Sequence, residues 1–231
     1  MKIKFSSPVK EYISHPYPSL KNIPEGYKKL SKYIDNNLSK KTVKGCVPFL
    51  DALTCGYIIP FPFDIYFWYD SEKNEVSFLI PEILQDDLRE FGVSSHPDFQ
   101  VSNEVKYNKR TVENVFKFLN PWSITTPSGY SCIFTTPFNR NLPFKIIDGI
   151  VDTDQYKVPV NFPFYWTGPH NESLLLKQGT PMVLVIPFKR DNWKSEVVYE
   201  DKSVVSEIRK KTFTTFIDTY KNMFWRKKSY K

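Results

Sequence analysis

The sequence predicts a mainly β fold, and its aromatic content and its excess of proline over glycine are the observations that predict it. Aromatic residues make up 16% of the 231 residues, with 19 Phe, 14 Tyr and 5 Trp. Each buried aromatic side chain removes a large area from water, so a substantial core is available. Eighteen prolines against eight glycines disfavour long helices in the middle of the chain and suit short strands joined by rigid turns. The length is compatible with a single domain, residues 1–231.

The N-terminal part predicts an irregular arm and two helices. Residues 1–23 are rich in proline and are expected to be irregular. A helical pattern begins at Pro24. Four apolar residues then share one face of that helix: Tyr27, Leu30, Ile34 and Leu38. A second, short helix is predicted from Pro48 to Cys55, with Gly56 as its terminator.

The region 24–202 is expected to contain the β core. Tyr57–Tyr69 and Val76–Ile80 flank a polar turn and predict a hairpin. Residues 82–113 are polar and are expected to form a surface insertion with one short helix. Six more strands are predicted after this insertion: Val115–Leu119, Ser123–Thr126, Tyr130–Thr135, Phe144–Val151, Val158–Trp166 and Met182–Pro187.

Residues 203–231 predict a C-terminal amphipathic helix and a basic tail. Between Ser203 and Lys227 the basic residues fall on one side and the apolar residues on the other. The apolar face comprises Ile208, Phe213, Phe216, Ile217, Tyr220 and Phe224. We expect this face to pack on the β core or on a neighbouring subunit, and a helix lying on a membrane surface is the alternative.

The charge and the rare residue types restrict the classes of function. A net charge of +7 favours polyanions or an acidic partner. The basic clusters are expected to be solvated helix faces, and nucleic-acid binding by the C-terminal helix is the alternative, without a recognition-helix or zinc-finger pattern to support it. Three cysteines without a C-x-x-C pair and three scattered histidines predict no metal site. The N-terminus lacks an apolar leader and no apolar stretch could span a bilayer, so we expect a protein that is not secreted.

An apolar strand that runs into an Asp-x-Asp turn and an aromatic residue is the pattern with the clearest chemistry. The turn contains Asp152 and Asp154, and Tyr156 follows it. A carboxylate held at the mouth of a hairpin can act as a general base when its geometry suits. The alternative is that both aspartates shape a tight turn, because Asp hydrogen-bonds well to its own backbone.

Residues 124–186 resemble the dUTPase family, which comprises the deoxyuridine triphosphatases and their dCTP-deaminase relatives. Of the family's I-x-P-x-G-Y segment this chain has Ile124, Pro127, Gly129 and Tyr130, which lead to a polar loop that contains Arg140. The family's arginine-serine-serine phosphate loop is replaced by residues 138–141, Phe-Asn-Arg-Asn, which lack the small hydroxyl residues.

The second half of the resemblance begins at the Asp-x-Asp turn. The family's G-V-I-D-x-D-Y hairpin is matched by residues 149–154, with Tyr156 one position later than in the pattern. Asn161 stands where the family has an asparagine. Residues 179–184 stand where the family has a G-D-R-I-A-Q strand, and Leu184 replaces its glutamine.

The resemblance implies a dUTPase-like core and a set of site residues. By position, Asp152 would activate water, Tyr156 would stack on a nucleoside and Arg140 would contact phosphate, since its planar fork suits phosphate. Asp154 and Asn161 are the remaining candidate ligand-binding residues. Mg²⁺ would be required only in a nucleotide hydrolase, and no other cofactor is implied. Because most phosphate donors are missing, the sequence favours a module without catalysis over a divergent nucleotide pyrophosphatase or deaminase.

The whole chain also resembles uncharacterised proteins of tailed phages of marine bacteria. The landmarks are residues 47–53, 119–122, 159–164 and 186–190. This resemblance implies a viral protein of the virion or the host cytoplasm, and another phage or host protein is a candidate partner. The family analogy implies a homo-oligomer, a trimer in particular. Nucleic acid is not the favoured partner, and no membrane association is expected.

Overall fold

The computed structural model of the protein describes residues 1–11, 13–70, 72–73, 75–80, 91–96, 100, 115–169, 171–214 and 219–231. Within these ranges the fold is mainly β, as the sequence predicts, and every strand pair is antiparallel. The strands are β1 Lys4–Ser6, β2 Tyr17–Pro18, β3 Tyr57–Pro60, β4 Ile65–Asp70, β5 Glu75–Leu79, β6 Gly92–Ser95, β7 Phe116–Leu119, β8 Ser123–Thr125, β9 Tyr130–Thr135, β10 Phe144–Ile146, β11 Gly149–Val151, β12 Phe162–Trp166, β13 Ser173–Leu176 and β14 Pro181–Lys189.

The described strands form four sheets. The largest has the order β11-β9-β14-β3-β2, and the second has the order β10-β12-β7-β6. A three-stranded sheet has the order β13-β4-β5, and β1 pairs with β8. The long strand β14 lies at the centre of the largest sheet, between β9 and β3.

The core between the sheets is built mainly from aromatic side chains. The rings of Phe118 and Phe164 stack with centroids 3.8 Å apart and nearly parallel planes. Phe61 meets Phe118 edge-on at 5.1 Å, and Phe67 stacks on Trp166 at 4.2 Å. Edge-on contacts such as that of Phe61 with Phe118 add to the stability that burial itself provides.

Strand β4 shows why the core forms on one face of its sheet. Side chains alternate between the two faces of a strand. Accordingly Ile65, Phe67 and Tyr69 are buried, whereas Tyr66 and Trp68 point outward and remain exposed. The predicted hairpin is confirmed in part: β4 pairs with β5, whereas the first part of the predicted strand Tyr57–Tyr69 is β3 and belongs to the largest sheet.

The predicted strand Phe144–Val151 is two strands in two different sheets. β10 pairs with β12, whereas β11 pairs with β9. Between them Ile147 donates its N–H to the Pro163 carbonyl at 2.8 Å, and the Asp148 carboxylate accepts from the Thr135 hydroxyl at 2.5 Å. These bonds turn the chain from one sheet to the other, which the continuous apolar run did not reveal.

Two regions that were expected to be irregular or polar contribute strands. β1 and β2 lie within residues 1–23; β1 pairs with the whole of β8, and β2 pairs with the first two residues of β3. β6 lies within residues 82–113, where it pairs with β7 and buries Val93. The short helix predicted in that insertion falls outside the described residues, apart from 91–96 and 100.

The predicted N-terminal helix is wrong beyond its first turn. Helix α1 spans only Glu25–Lys29, and Leu30 is already extended with ψ 133°. The Lys44 ammonium donates to the carbonyls of Tyr27 and Lys28, both at 3.0 Å, and so satisfies the end of the helix. The predicted apolar face does not form, and Leu30, Ile34 and Leu38 are exposed.

The remaining α-helices are a short one before β3 and a longer one near the C-terminus. Helix α2 spans Val47–Thr54, one residue from its predicted bounds, and Gly56 follows it with φ +66°. Helix α3 spans Lys202–Thr214, and Tyr220–Phe224 forms one wider π-type turn. Of the predicted apolar face, Phe216 and Ile217 fall outside the described residues, whereas Tyr220 and Phe224 are exposed. No helix within the described residues is both long and apolar enough to cross a membrane.

The C-terminal tail returns to the body of the protein at α2. The Trp225 indole donates to the Asp51 carboxylate at 2.9 Å, and the Lys228 ammonium reaches the same carboxylate at 2.5 Å. The Tyr230 ring packs edge-on against Tyr57 at 5.9 Å. The tail is therefore held by specific contacts.

Candidate functional site

The candidate site lies where three strands of the largest sheet end together. Val151 at the end of β11 and Pro187 near the end of β14 are both opposite Cys132 in β9. The Asp-x-Asp turn after β11 and the residues after β14 therefore meet the turn that precedes β9. The pairing of β9 with β11 and β14 thus brings together side chains that are far apart in the sequence.

Arg190, just beyond β14, is the centre of this site. Its Nη1 donates to Oδ1 of Asp154 at 3.0 Å and its Nη2 donates to Oδ2 at 2.5 Å. Nη1 also donates to the Tyr130 carbonyl at 3.1 Å and to the Ser131 hydroxyl at 2.9 Å. The Arg190 N–H donates to the Gly129 carbonyl at 2.9 Å. One guanidinium thus ties β14 to the turn before β9 and to the turn after β11.

Asp154 is a buried anion with all its partners in place. Its side chain is 2% exposed, and Oδ2 also accepts from the Gly129 N–H at 2.8 Å. The bidentate hydrogen bonds from Arg190 are the main cause that lowers the pKa of Asp154 from 3.8 to about 2, against the opposing effect of burial. A carboxylate that is this well satisfied stays ionised at neutral pH and is a poor proton acceptor.

Asp152, the predicted general base, is held at the rim of the same cluster. Its Oδ1 accepts from the Ser131 hydroxyl at 2.6 Å and lies 3.3 Å from Nη1 of Arg190. Its side chain is 64% exposed. Its carbonyl accepts from the N–H groups of Gln155 and Tyr156, both at 2.9 Å. Asp152 therefore shapes the tight turn with its backbone and joins the ion-pair cluster with its side chain.

Small buried side chains hold the Asp-x-Asp turn in place. Thr153 is fully buried, and its hydroxyl lies 2.8 Å from that of Thr126 and 3.3 Å from the Cys132 sulfur. Burial raises the pKa of the Cys132 thiol to about 11. Cys132 is therefore a neutral core residue at physiological pH. The buried groups that contact the turn are hydrogen-bonded to one another.

Within the described residues, the side chains of the other predicted site residues form no hydrogen bond with this cluster, although the backbone N–H of Tyr156 donates to the Asp152 carbonyl. Arg140 donates to the Asn22 side chain at 2.9 Å and to the Asn22 carbonyl, in the N-terminal arm. Tyr156 has a half-exposed side chain, and Asn161 is exposed just before β12. The structure brings Asp152 and Asp154 together around Arg190, while Arg140 has a separate structural role.

Arg190 and Ser131 are the members of the cluster that the sequence did not predict as site residues. Arg190 belongs to a Pro-Phe-Lys-Arg run after an apolar strand, which is a weak local signal. Its role depends on β14 lying beside β9, and β9 beside β11. That pairing is non-local and cannot be read from one segment.

The carboxylates of the cluster do not fit a divalent cation. Among the described residues there is no group of three or more His, Cys, Asp or Glu side chains that could hold a metal. Arg190 already supplies the positive charge that Asp154 and Asp152 require. A bound Mg²⁺ would have to displace or oppose that guanidinium.

Comparison with protein-family models, with curated proteins and with solved structures finds no match for this chain. The chemistry of the site therefore has to be inferred from its own geometry. That geometry is an arginine locked onto two aspartates and three backbone segments. It stabilises a strand junction.

Proposed function

We propose that this chain is a non-catalytic binding or structural module, built on a dUTPase-like β core. One observation carries the proposal: Arg190 engages both aspartates of the Asp-x-Asp turn, with Asp154 buried in a bidentate ion pair. In this role the hairpin that resembles a catalytic motif holds three strand ends in register. The residues of the motif are retained for the fold.

The enzymatic alternative lacks the groups that phosphate chemistry needs. Catalysis of phosphoryl transfer depends on donors aimed at the charge that develops on the phosphate oxygens. Arg190 points at the two aspartates and Arg140 at Asn22, so both arginines near the motif serve internal hydrogen bonds. Leu184, which replaces the family's glutamine, is buried in the central strand. These placements favour a structural role for the motif.

Association is the second half of the proposal. Several large apolar side chains beyond the core are exposed, including Tyr66, Trp68 and Trp193. Exposed aromatic side chains are typical of surfaces that bind a partner. The resemblance of the whole chain to phage proteins suggests a viral setting, in the virion or the host cytoplasm, with a second copy or another phage or host protein as the partner.

The contacts of the C-terminal tail argue against the nucleic-acid alternative. Lys228 pairs with the Asp51 carboxylate, and Trp225 donates to the same group. Part of the basic C-terminus is therefore used to anchor the tail to α2. A phosphate-binding surface would instead present its cations to solvent.

The test is turnover of a panel of deoxynucleotides with Mg²⁺, measured for the wild type and for Asp152→Asn. Phosphate or pyrophosphate release and base deamination are both followed, and circular dichroism checks that the variant is folded. The proposal predicts no turnover that depends on Asp152. Turnover by the wild type that disappears in a folded Asp152→Asn variant would establish the enzyme instead.

A further inference from the structure

A segment that we call the arm, residues 191–201, projects from the body after Arg190. Every residue of the arm is exposed. Its aromatic residues lie almost entirely in solvent, with Trp193 91% and Tyr199 98% exposed, and Val197 and Val198 are exposed as well. Such a run of large apolar side chains in water is costly for a monomer, and it is typical of a segment that a partner covers.

The arm is anchored at its first residue and leads into helix α3 at its last. Its first residue follows Arg190, which is locked into the aspartate cluster. Its last residue, Asp201, begins helix α3, because its carboxylate accepts from the N–H and the hydroxyl of Ser203 at 2.7 and 2.6 Å. The start of the arm is thus held at a defined position on the surface, which lowers the entropy that docking would cost.

The arm carries a charge opposite to that of the whole chain. It contains four acidic residues and one lysine, a net charge of −3, within a chain of net charge +7. The acidic residues are Asp191, Glu196, Glu200 and Asp201. The surface that receives the arm should therefore be both basic and apolar.

A cavity of about 190 Å³, lined by residues from 32–50 and from the C-terminal segment, meets this description. Three lysines line it, Lys32, Lys44 and Lys221, together with Cys46, Leu50 and Trp225. Its volume corresponds to roughly six water molecules, which is enough for one aromatic ring. Basic and apolar side chains therefore line the same cavity.

The surface beside the cavity has the same character. Residues 25–45 contain six lysines and two acidic residues. They also expose Leu30, Ile34, Leu38 and Val43 to solvent, because the predicted helix ends at Lys29. The Lys44 ammonium is fixed by the carbonyls of Tyr27 and Lys28. A positive charge in the cavity wall is thus held in place before any partner arrives.

We infer that the arm of one copy docks in the lysine-lined cavity of a second copy. Tyr199 fills the cavity, and Glu196 and Glu200 on either side of it meet Lys32 and Lys221. The contact joins two different surfaces, so repetition of it generates a closed ring when the rotation allows closure, as in a trimer. This inference rests on the proposed function only in that the module acts by association.

Charge reversal on each surface tests the contact by sedimentation velocity. The arm variant is Glu196→Lys with Glu200→Lys, and the cavity variant is Lys32→Glu with Lys221→Glu. The wild type is expected to form oligomers. Each variant alone should lose association by on the order of tenfold or more, since like charges then face each other. An equal mixture of the two variants should associate again, because each arm then meets a cavity of opposite charge.

The control for the cavity variant is Lys2→Glu with Lys177→Glu, which lowers the net charge by the same amount at two exposed positions and should leave the oligomeric state unchanged. Circular dichroism verifies the fold, and Lys221→Glu alone takes the place of the cavity variant in the mixture if the double change unfolds it.

Three results would overturn the arm contact. The first is a mixture of folded variants that stays monomeric. The second is oligomerisation that neither variant alters, which would place the interface elsewhere, for example on Tyr66 and Trp68, and would leave the proposed function intact. The third is a wild type that is monomeric at all concentrations, whose arm would then serve another acceptor or its own cavity. Nucleotide turnover would refute the proposed function without bearing on this result.

Discussion

Asp154 illustrates how one residue type can serve two opposite purposes. An aspartate after a strand can be a general base, which must exchange protons, or a buried anion, which must keep its charge. Asp154 accepts two hydrogen bonds from Arg190 and one from the Gly129 N–H. Buried charges are tolerated when they are paired and hydrogen-bonded in this way, and removal of one partner is costly.

The depressed pKa of Asp154 makes the stability that it provides depend on pH. Its pKa is about 2 in the folded protein against an ordinary 3.8, so its contribution is complete above about pH 4 and is lost as the pH falls through that interval. Arg190→Gln removes the main cause of the shift. We expect it to lower the melting temperature by several degrees at pH 7.

The difference between wild type and Arg190→Gln should then narrow between pH 3.8 and about 2, as Asp154 becomes protonated in both proteins. Melting curves by circular dichroism from pH 7 to pH 2 measure this difference. A difference that widens on acidification would show that Asp154 is not the linked group.

At the residue scale the sequence predicted half of the cluster. Asp152 and Asp154 stood out because an Asp-x-Asp turn after an apolar strand is a local pattern. Arg190 lies 36 residues from Asp154 and meets it only through the pairing of β9 with β14 and β11. Arg140 was nearer in sequence, yet its partner is Asn22, 118 residues away. Side-chain partners across a sheet depend on how the strands pair, and a single stretch of sequence does not contain that information.

At the element scale, most short strands were predicted well, whereas helices, and apolar runs that divide between two sheets, were predicted less well. β9 has its predicted bounds, Tyr130–Thr135, because β14 pairs with it along its whole length. The periodicity from Tyr27 to Leu38 suggested a long helix, but Gly26 lies inside α1 and Asp35 adopts φ +50°. Tertiary contacts of Lys44 override a weak helical propensity there.

The stacked pair of Phe118 and Phe164 makes a prediction about how the sheets hold together. Phe164 is fully buried against Phe118 at 3.8 Å. Truncation of such a ring leaves a cavity, so Phe164→Ala should lower the free energy of unfolding by about 3–5 kcal/mol. Phe138→Ala is the control, because Phe138 is substantially exposed.

Urea unfolding followed by fluorescence and circular dichroism measures both variants. Phe138→Ala should change the free energy of unfolding by only a small fraction of the Phe164→Ala effect. Similar losses in the two variants would mean that the stacked pair does not lie at the centre of the core.

At the scale of the whole molecule, the charge of the chain is unevenly distributed. An acidic arm projects from a basic protein, and a basic cavity lies on another part of its surface. The two surfaces are complementary in charge, so a second copy can bring them together. The architecture as a whole is that of a β core with a projecting arm and an acceptor surface, which suits assembly.

Salt should weaken this assembly without abolishing it. The Debye length falls from about 10 Å at 0.1 M salt to about 3 Å at 1 M, so the lysine-carboxylate attraction is screened while the apolar contact of Tyr199 remains. Sedimentation at the two salt concentrations should show weaker association at 1 M. Glu196→Gln with Glu200→Gln should flatten that dependence. Association that strengthens with salt equally in both proteins would argue for a purely apolar interface.

Thermal unfolding of Asp154→Asn beside Asp152→Asn at pH 7 tests most directly whether the Asp-x-Asp turn is a structural junction. The two carboxylates lie two residues apart and meet the same arginine, but Asp154 is 2% and Asp152 64% exposed. A structural junction predicts a loss of several degrees in melting temperature for Asp154→Asn and a much smaller loss for Asp152→Asn. Equal melting temperatures for Asp154→Asn and the wild type would contradict it.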